Sequence, residues 1–154
     1  MPDGKRVGIP YDFGNLVKNI EEAYPGQGAA VKKFTDKIMA VSKEFAHLPA
    51  RTWTIKDYAT TWYKVLNLIK YQNATVQDLF NECGVARESQ DVLMAGAGDF
   101  MECAEKLSFF AFAGLFGGYN TGSYYPTKHF KYYVDRLVQF ITDKSGCHIY
   151  YETL

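Results

Sequence analysis

Four groups of residues in this chain have types and spacings that could do chemistry. Gly96-Ala97-Gly98 follows the apolar run Val92-Leu93-Met94-Ala95 as a dinucleotide-binding turn would. Such a turn needs a third glycine where Met101 stands, so that its helix can approach the strand. The residues before it also read as helix, and the segment is better read as a tight interhelical turn. Gly114, Gly117, Gly118 and Gly122 are not followed by the lysine-serine/threonine of a phosphate loop, and read as freedom for the backbone to leave a helix. Cys83, Cys103 and Cys147 are odd in number without a C-x-x-C pair, and His47, His129 and His148 show no ligand spacing. Neither a disulfide framework nor a zinc site is indicated, and no serine, histidine and acid can be assigned as a hydrolytic triad. The fourth group is the aromatic stretch from Phe109, with Tyr119, Tyr124, Tyr125 and Pro126 followed by the cations Lys128 and His129. Its residues suit an apolar pocket better than acid–base work.

The elements that must position these residues are mostly helices. Asp12 or Asn15 can cap a first helix through Leu16, Val17 and Ile20, stopped at Tyr24-Pro25-Gly26. A second runs from Gly28 and ends before Leu48-Pro49, with Val31, Phe34, Ile38, Val41 and Phe45 on one face, and packs that face on the core. Trp62, Val65, Leu66 and Ile69 predict a third helix over 58–71. Thr75-Val76-Gln77-Asp78 resembles a capping box and opens a short helix closed by Gly84. Further helices are predicted over 87–95 and 100–116, the latter apolar on most sides and therefore central or facing a pocket. After a glycine-rich turn, a strand at Ser123-Tyr124-Tyr125 ends at Pro126. A helix carrying Phe130, Tyr133, Val134, Leu137, Phe140 and Ile141 follows, ends at Gly146, and leads to a strand at 147–151. With a third strand at 7–9, these make a small sheet, so the expected class is α+β, a mostly helical domain with a small β-sheet. About 20 residues between the two later strands suffice for a parallel crossover.

The order of these signals resembles that of the substrate domain of FAD-dependent phytoene dehydrogenases (carotenoid desaturases). The resemblance rests on Asp3-Gly4 before a strand, Tyr24-Pro25-Gly26, Thr75-Val76, Gly118, Tyr124-Tyr125-Pro126 and Gly146 in co-linear order. It implies a single substrate-binding domain, 1–154, of an FAD-dependent oxidoreductase acting on an apolar polyene or lipid-like substrate. The flavin would be bound mainly by a dinucleotide fold outside this fragment, which alone would be inactive. On that view Phe109, Phe110, Phe112, Phe116, Tyr119, Tyr124 and Tyr125 are candidate tunnel walls, and Pro126, Lys128 and His129 approach the flavin. Two family glycines are replaced by Lys128 and His129, whose side chains could point to solvent or contact substrate or reduced flavin. The same domain would serve an amine-oxidase-like flavoenzyme, and a non-catalytic helical module holding a lipid or partner protein is the alternative of another class.

Composition bounds the rest. Lysine plus arginine (17) equals aspartate plus glutamate (17), which leaves no net field to attract nucleic acid. Aromatics make up 16% of the chain, with twelve tyrosines and eleven phenylalanines, most of them accounted for by core filling. At 154 residues one domain is expected. Both ends look cut, as in an excised internal domain with an added start methionine and a tag-derived Leu154. The expected partners are the apolar substrate and the FAD-binding domain of the same full-length chain, with an exposed apolar surface around 116–130 available to a dimer contact. Cysteine usage, the absence of a signal pattern and the absence of a spanning run point to a cytoplasmic protein with room for peripheral membrane contact.

Overall fold

The computed structural model describes residues 5–10, 12–48, 52, 54–96, 98–120 and 127–150. The chain divides into two compact units, Met1–Gly122 and Ser123–Leu154. Helix ends in the first unit follow local side chains. Asp12 accepts the Asn15 amide at 2.8 Å and starts α1 (Phe13–Ala23). Past Pro25, Glu21 reaches across the turn to accept the amides of Gly26 and Gly28, and these bonds hold its carboxyl below the usual range. α2 (Gly28–Glu44) runs on into a 3-10 turn at Phe45–His47.

Next come α3 (Ile55–Thr61), a 3-10 turn at Trp62–Lys64, and α4 (Leu66–Tyr71). The helix predicted over 58–71 is therefore two helices, and the reason is a side chain from elsewhere. Glu44, at the end of α2, accepts the amides of Asn67 at 3.2 Å and Leu68 at 2.9 Å and the Asn67 side-chain amide at 2.6 Å. A carboxylate on first-turn amides starts a new helix there.

α5 (Val76–Cys83) opens with the capping box of Thr75 and Asp78 and ends at Gly84, which is left-handed at φ 74°. α6 (Arg87–Ala95) and a 3-10 turn at Gly98–Phe100 follow. The helix expected over 100–116 begins only at Phe109, as α7 (Phe109–Tyr119). Residues 101–108 instead serve α5, because the carbonyls of Leu107 and Ala104 accept the Val76 and Gln77 amides, each at 2.9 Å. Those amides would otherwise be orphan donors at a helix start.

α2 is the centre of this unit, touching α1, α4, α5 and α7. Phe34 on α2 meets Phe80 at 4.6 Å, Phe112 at 5.9 Å and Phe109 at 6.0 Å between ring centroids. Phe112 stacks on Phe116 at 4.8 Å, and Phe116 on Phe13 at 5.7 Å. One line of rings thus crosses from α5 to α1, and its tilted and offset pairs suit the ring quadrupole. Gly117 allows α7 to lie close on α2, since a Cβ there would sit 2.6 Å from the Ser42 Cβ.

The expected α+β class is corrected by the absence of any strand among the described residues, where an isolated antiparallel bridge, Thr75 with Ser108, takes the place of a sheet. Residues 7–9 form no ladder; the Gly8 carbonyl accepts the Asn19 amide at 3.0 Å and Lys5 donates to the Ala23 carbonyl at 2.8 Å, so side-chain bonds to α1 hold this segment. Residues 147–150 are likewise irregular, and 123–125 and 151 lie outside the described residues. In the second unit, α8 (His129–Ser145) ends at left-handed Gly146, φ 64°. Lys131 pairs with Asp135 at 2.8 Å one turn on, while Phe130, Tyr133, Leu137 and Phe140 form an exposed apolar stripe.

Candidate apolar-ligand groove

The aromatic residues singled out in the sequence occupy different surroundings. Phe109 and Phe112 are fully buried and Phe116 is 4% exposed, all three within the ring line of the core. Tyr119 is half-buried at the end of α7, its ring edge toward Phe116 at 6.4 Å. Tyr124, Tyr125 and Pro126 lie outside the described residues. Lys128 and His129 are exposed at the start of α8, where His129 has φ 65° and the Lys128 ammonium sits over the Tyr132 ring at 4.8 Å. A cation over an aromatic face is modestly favourable, which helps offset the cost of positive charge at a helix N-terminus.

Phe110 is the member of the run that reaches an opening. It lines a groove of about 230 Å³ with Leu48, Val65, Leu68, Trp62 and Ile69, and Gln72 supplies a polar end. Val65 and Leu68 are buried, whereas Trp62 is 53% exposed and Ile69 47% exposed. The groove therefore has a dry floor and a half-open apolar rim. Phe45 braces Phe110 edge-to-face at 4.6 Å, and its ring lies beside Gly114 of α7. Glu44 fixes the start of α4 and with it Leu68 and Ile69. The sequence pattern used Trp62, Val65 and Ile69 to predict a helix and marked no opening beside them. The available signal was the density of aromatics around 58–63, in a helix too rich in large apolar residues for one narrow stripe.

Beside the groove, α2, α4 and α5 are tied by a charged cluster. Lys37 donates to the Tyr71 hydroxyl at 2.7 Å and to Glu82 at 3.1 Å, and Lys70 donates to the same hydroxyl at 2.8 Å. Desolvation works against the charged forms of Lys37 and Glu82, but their mutual bond and the neighbouring Tyr71 and Lys70 outweigh it, so Lys37 is raised and Glu82 lowered. Lys70 is raised, chiefly by its bond to Tyr71. Every charge has its partner inside the cluster, and its work is structural. Two of the thiols are poor nucleophiles: burial pushes Cys83 up, and the Glu105 carboxylate, with burial and Glu102, pushes Cys103 up.

No group of three or more histidine, cysteine, aspartate or glutamate side chains that could hold a metal occurs among the described residues. Gly96 does not open a dinucleotide-binding turn. It follows a helix rather than a strand, and a Cβ on it would lie 3.0 Å from the Phe116 ring, so the space beside it is filled by core rather than open to a phosphate. No protein-family model, curated protein or solved structure matches the chain. Among the described residues no helix is long and apolar enough to cross a membrane.

Proposed function

We propose that this chain binds an elongated apolar molecule, as the substrate-holding helical part of an FAD-dependent oxidoreductase resembling phytoene dehydrogenase. The observation that carries the binding role is the groove with Phe110, Val65 and Leu68 beneath and Trp62 and Ile69 at its rim. Its volume of about 230 Å³ is below the roughly 300–1,000 Å³ of a site that encloses a drug-sized ligand. It suits a ring or one segment of a longer chain. Val65, Leu68 and Phe110 would exclude water from that segment, and Gln72 would meet a polar end. The flavoenzyme context is supported by the co-linear sequence signals from Asp3-Gly4 to Gly146. The flavin itself would be held mainly by a dinucleotide fold outside this fragment, with Lys128 and His129 approaching it.

A second reading, a stand-alone module for an apolar ligand without flavin, is favoured by the helical core of the first unit, which packs without any strand among the described residues. Titration with an apolar polyene, following energy transfer from tryptophan emission, tests the binding role shared by both readings. Saturable transfer that Trp62→Phe diminishes and Phe110→Ala weakens is expected, and no saturable transfer refutes the groove assignment. Stoichiometric flavin absorbance in the purified chain would refute the placement of the flavin elsewhere.

A further inference from the structure

The groove rim continues into a wider apolar surface. Within the first unit, Ile55, Trp62, Tyr63, Leu66 and Ile69 are exposed large apolar residues that all fall in one short stretch of sequence. The last four adjoin one another. Tyr63 meets Trp62 edge-to-face at 6.2 Å, Trp62 shares the groove rim with Ile69, and Leu66 lies one turn before Ile69 on α4. Exposure at these positions is 53% for Trp62, 54% for Tyr63, 52% for Leu66 and 47% for Ile69. A contiguous patch of this kind marks an interaction surface.

The charge around the patch selects the partner. Lys56 and Lys64 are exposed in the same stretch, and the Lys64 ammonium stands 5.7 Å from the centroid of the Tyr63 ring. Asp57 in the same stretch accepts from the Thr54 amide at 2.7 Å and the Thr54 hydroxyl at 2.6 Å and keeps its charge, and the two lysines outnumber it. Tryptophan and tyrosine with aliphatic neighbours and flanking lysines are what a membrane–water boundary takes up: the rings settle at headgroup depth, the aliphatic side chains enter the acyl boundary, and the ammonium groups meet anionic headgroups. We infer that the surface formed by Trp62, Tyr63, Leu66 and Ile69, with Lys56 and Lys64, docks on an anionic lipid bilayer. This rests on the groove reading and extends it, because docking at the rim would let an apolar ligand pass from lipid to groove without crossing water.

The test is sedimentation of the full chain with phosphatidylcholine vesicles, with and without phosphatidylserine and with no polyene present. The chain should sediment with the serine-containing vesicles, with a blue shift of tryptophan emission, and raised salt should weaken the association. Lys64→Glu and Leu66→Ser should each lower partitioning by roughly tenfold. Both positions lie outside the groove lining, so both variants should keep the wild-type polyene titration and circular dichroism. Failure to sediment with either vesicle overturns the inference, as does sedimentation that neither variant changes. A dimer that Leu66→Ser dissociates, without vesicle binding, overturns it in favour of a second copy. Polyene binding without vesicle binding sinks the bilayer and leaves the groove; vesicle binding without polyene binding does the reverse.

Discussion

Gly117→Ala should destabilise the first unit even though alanine is the better helix former. A Cβ at this position would lie 2.6 Å from both the Cβ and the Oγ of Ser42, with the Ile38 Cγ2 at 3.5 Å. The Ser42 Cβ is fixed to backbone and cannot rotate away, so α7 and α2 must separate. Overpacking of a well-filled core costs about 1–3 kcal/mol, and a clash with a rigid atom belongs near the upper end, about 3 kcal/mol. Replacing a mid-helix glycine returns about 1 kcal/mol. The net loss is about 2 kcal/mol, which for a chain of this size is a fall in melting temperature of about 4–8 °C. Thermal and urea melts followed by circular dichroism read it. Ser42→Gly removes both clashing atoms, costs about 0.5 kcal/mol through propensity, and should restore the loss in the double variant, a coupling of about 3 kcal/mol. A Gly117→Ala protein as stable as the parent, or a double variant that merely adds the two single losses, would show that the helices do not approach this closely.

Three further outcomes are expected. Thr75→Ala removes the side-chain acceptor of the α5 capping box and should cost about 1 kcal/mol in the same melts; an unchanged midpoint would contradict the cap. Glu82 has its folded carboxyl held below the unfolded value, where Lys37 and Lys70 outweigh desolvation, so its stabilisation is present above the unfolded pKa and lost as pH falls through the folded one. Glu82→Gln should therefore lower stability at neutral pH and flatten the acid limb of the stability–pH curve, and an acid limb as steep as the parent's would count against the cluster. Glu44→Ala should free the Asn67 and Leu68 amides, fray α4 and weaken polyene binding with little change in overall helix content, whereas unaltered binding would separate the groove from its cap.

The elements that were readable in the sequence are those whose signals are local. Asp12, one of the two caps offered for α1, the proline and glycine after that helix, Thr75 with Asp78, and Gly84 each act within a few residues, and each sits at the helix end expected of it. The errors have distant causes. The break before Leu66 depends on Glu44 reaching over from α2, and the delayed start of α7 depends on α5 amides taking the carbonyls of Ala104 and Leu107. Neither is visible to a pattern along one segment. The small sheet was inferred from alternation in short runs, but a strand exists only with a partner, and the backbone near Gly8 is engaged by Asn19 on α1. The groove was hidden for another reason: an apolar helical stripe reads the same whether a neighbouring helix covers it or leaves its rim open. Phe110 could be suspected from its aromatic company, but its separation from Phe109 and Phe112 follows from facing away from them on α7.

The cap that Glu44 places on α4 also implies an order of assembly. α4 has six residues, too few to persist alone in water, and its first amides are satisfied by a side chain more than twenty positions earlier in the chain. α2 is long and amphipathic and needs no such help. The floor of the groove should therefore form only after the end of α2 is in place, so a chain arrested before that docking would show the rim aromatics to solvent with nothing beneath them. Pulse-labelled hydrogen exchange reads the order directly, and protection of α4 ahead of α2 would reverse it.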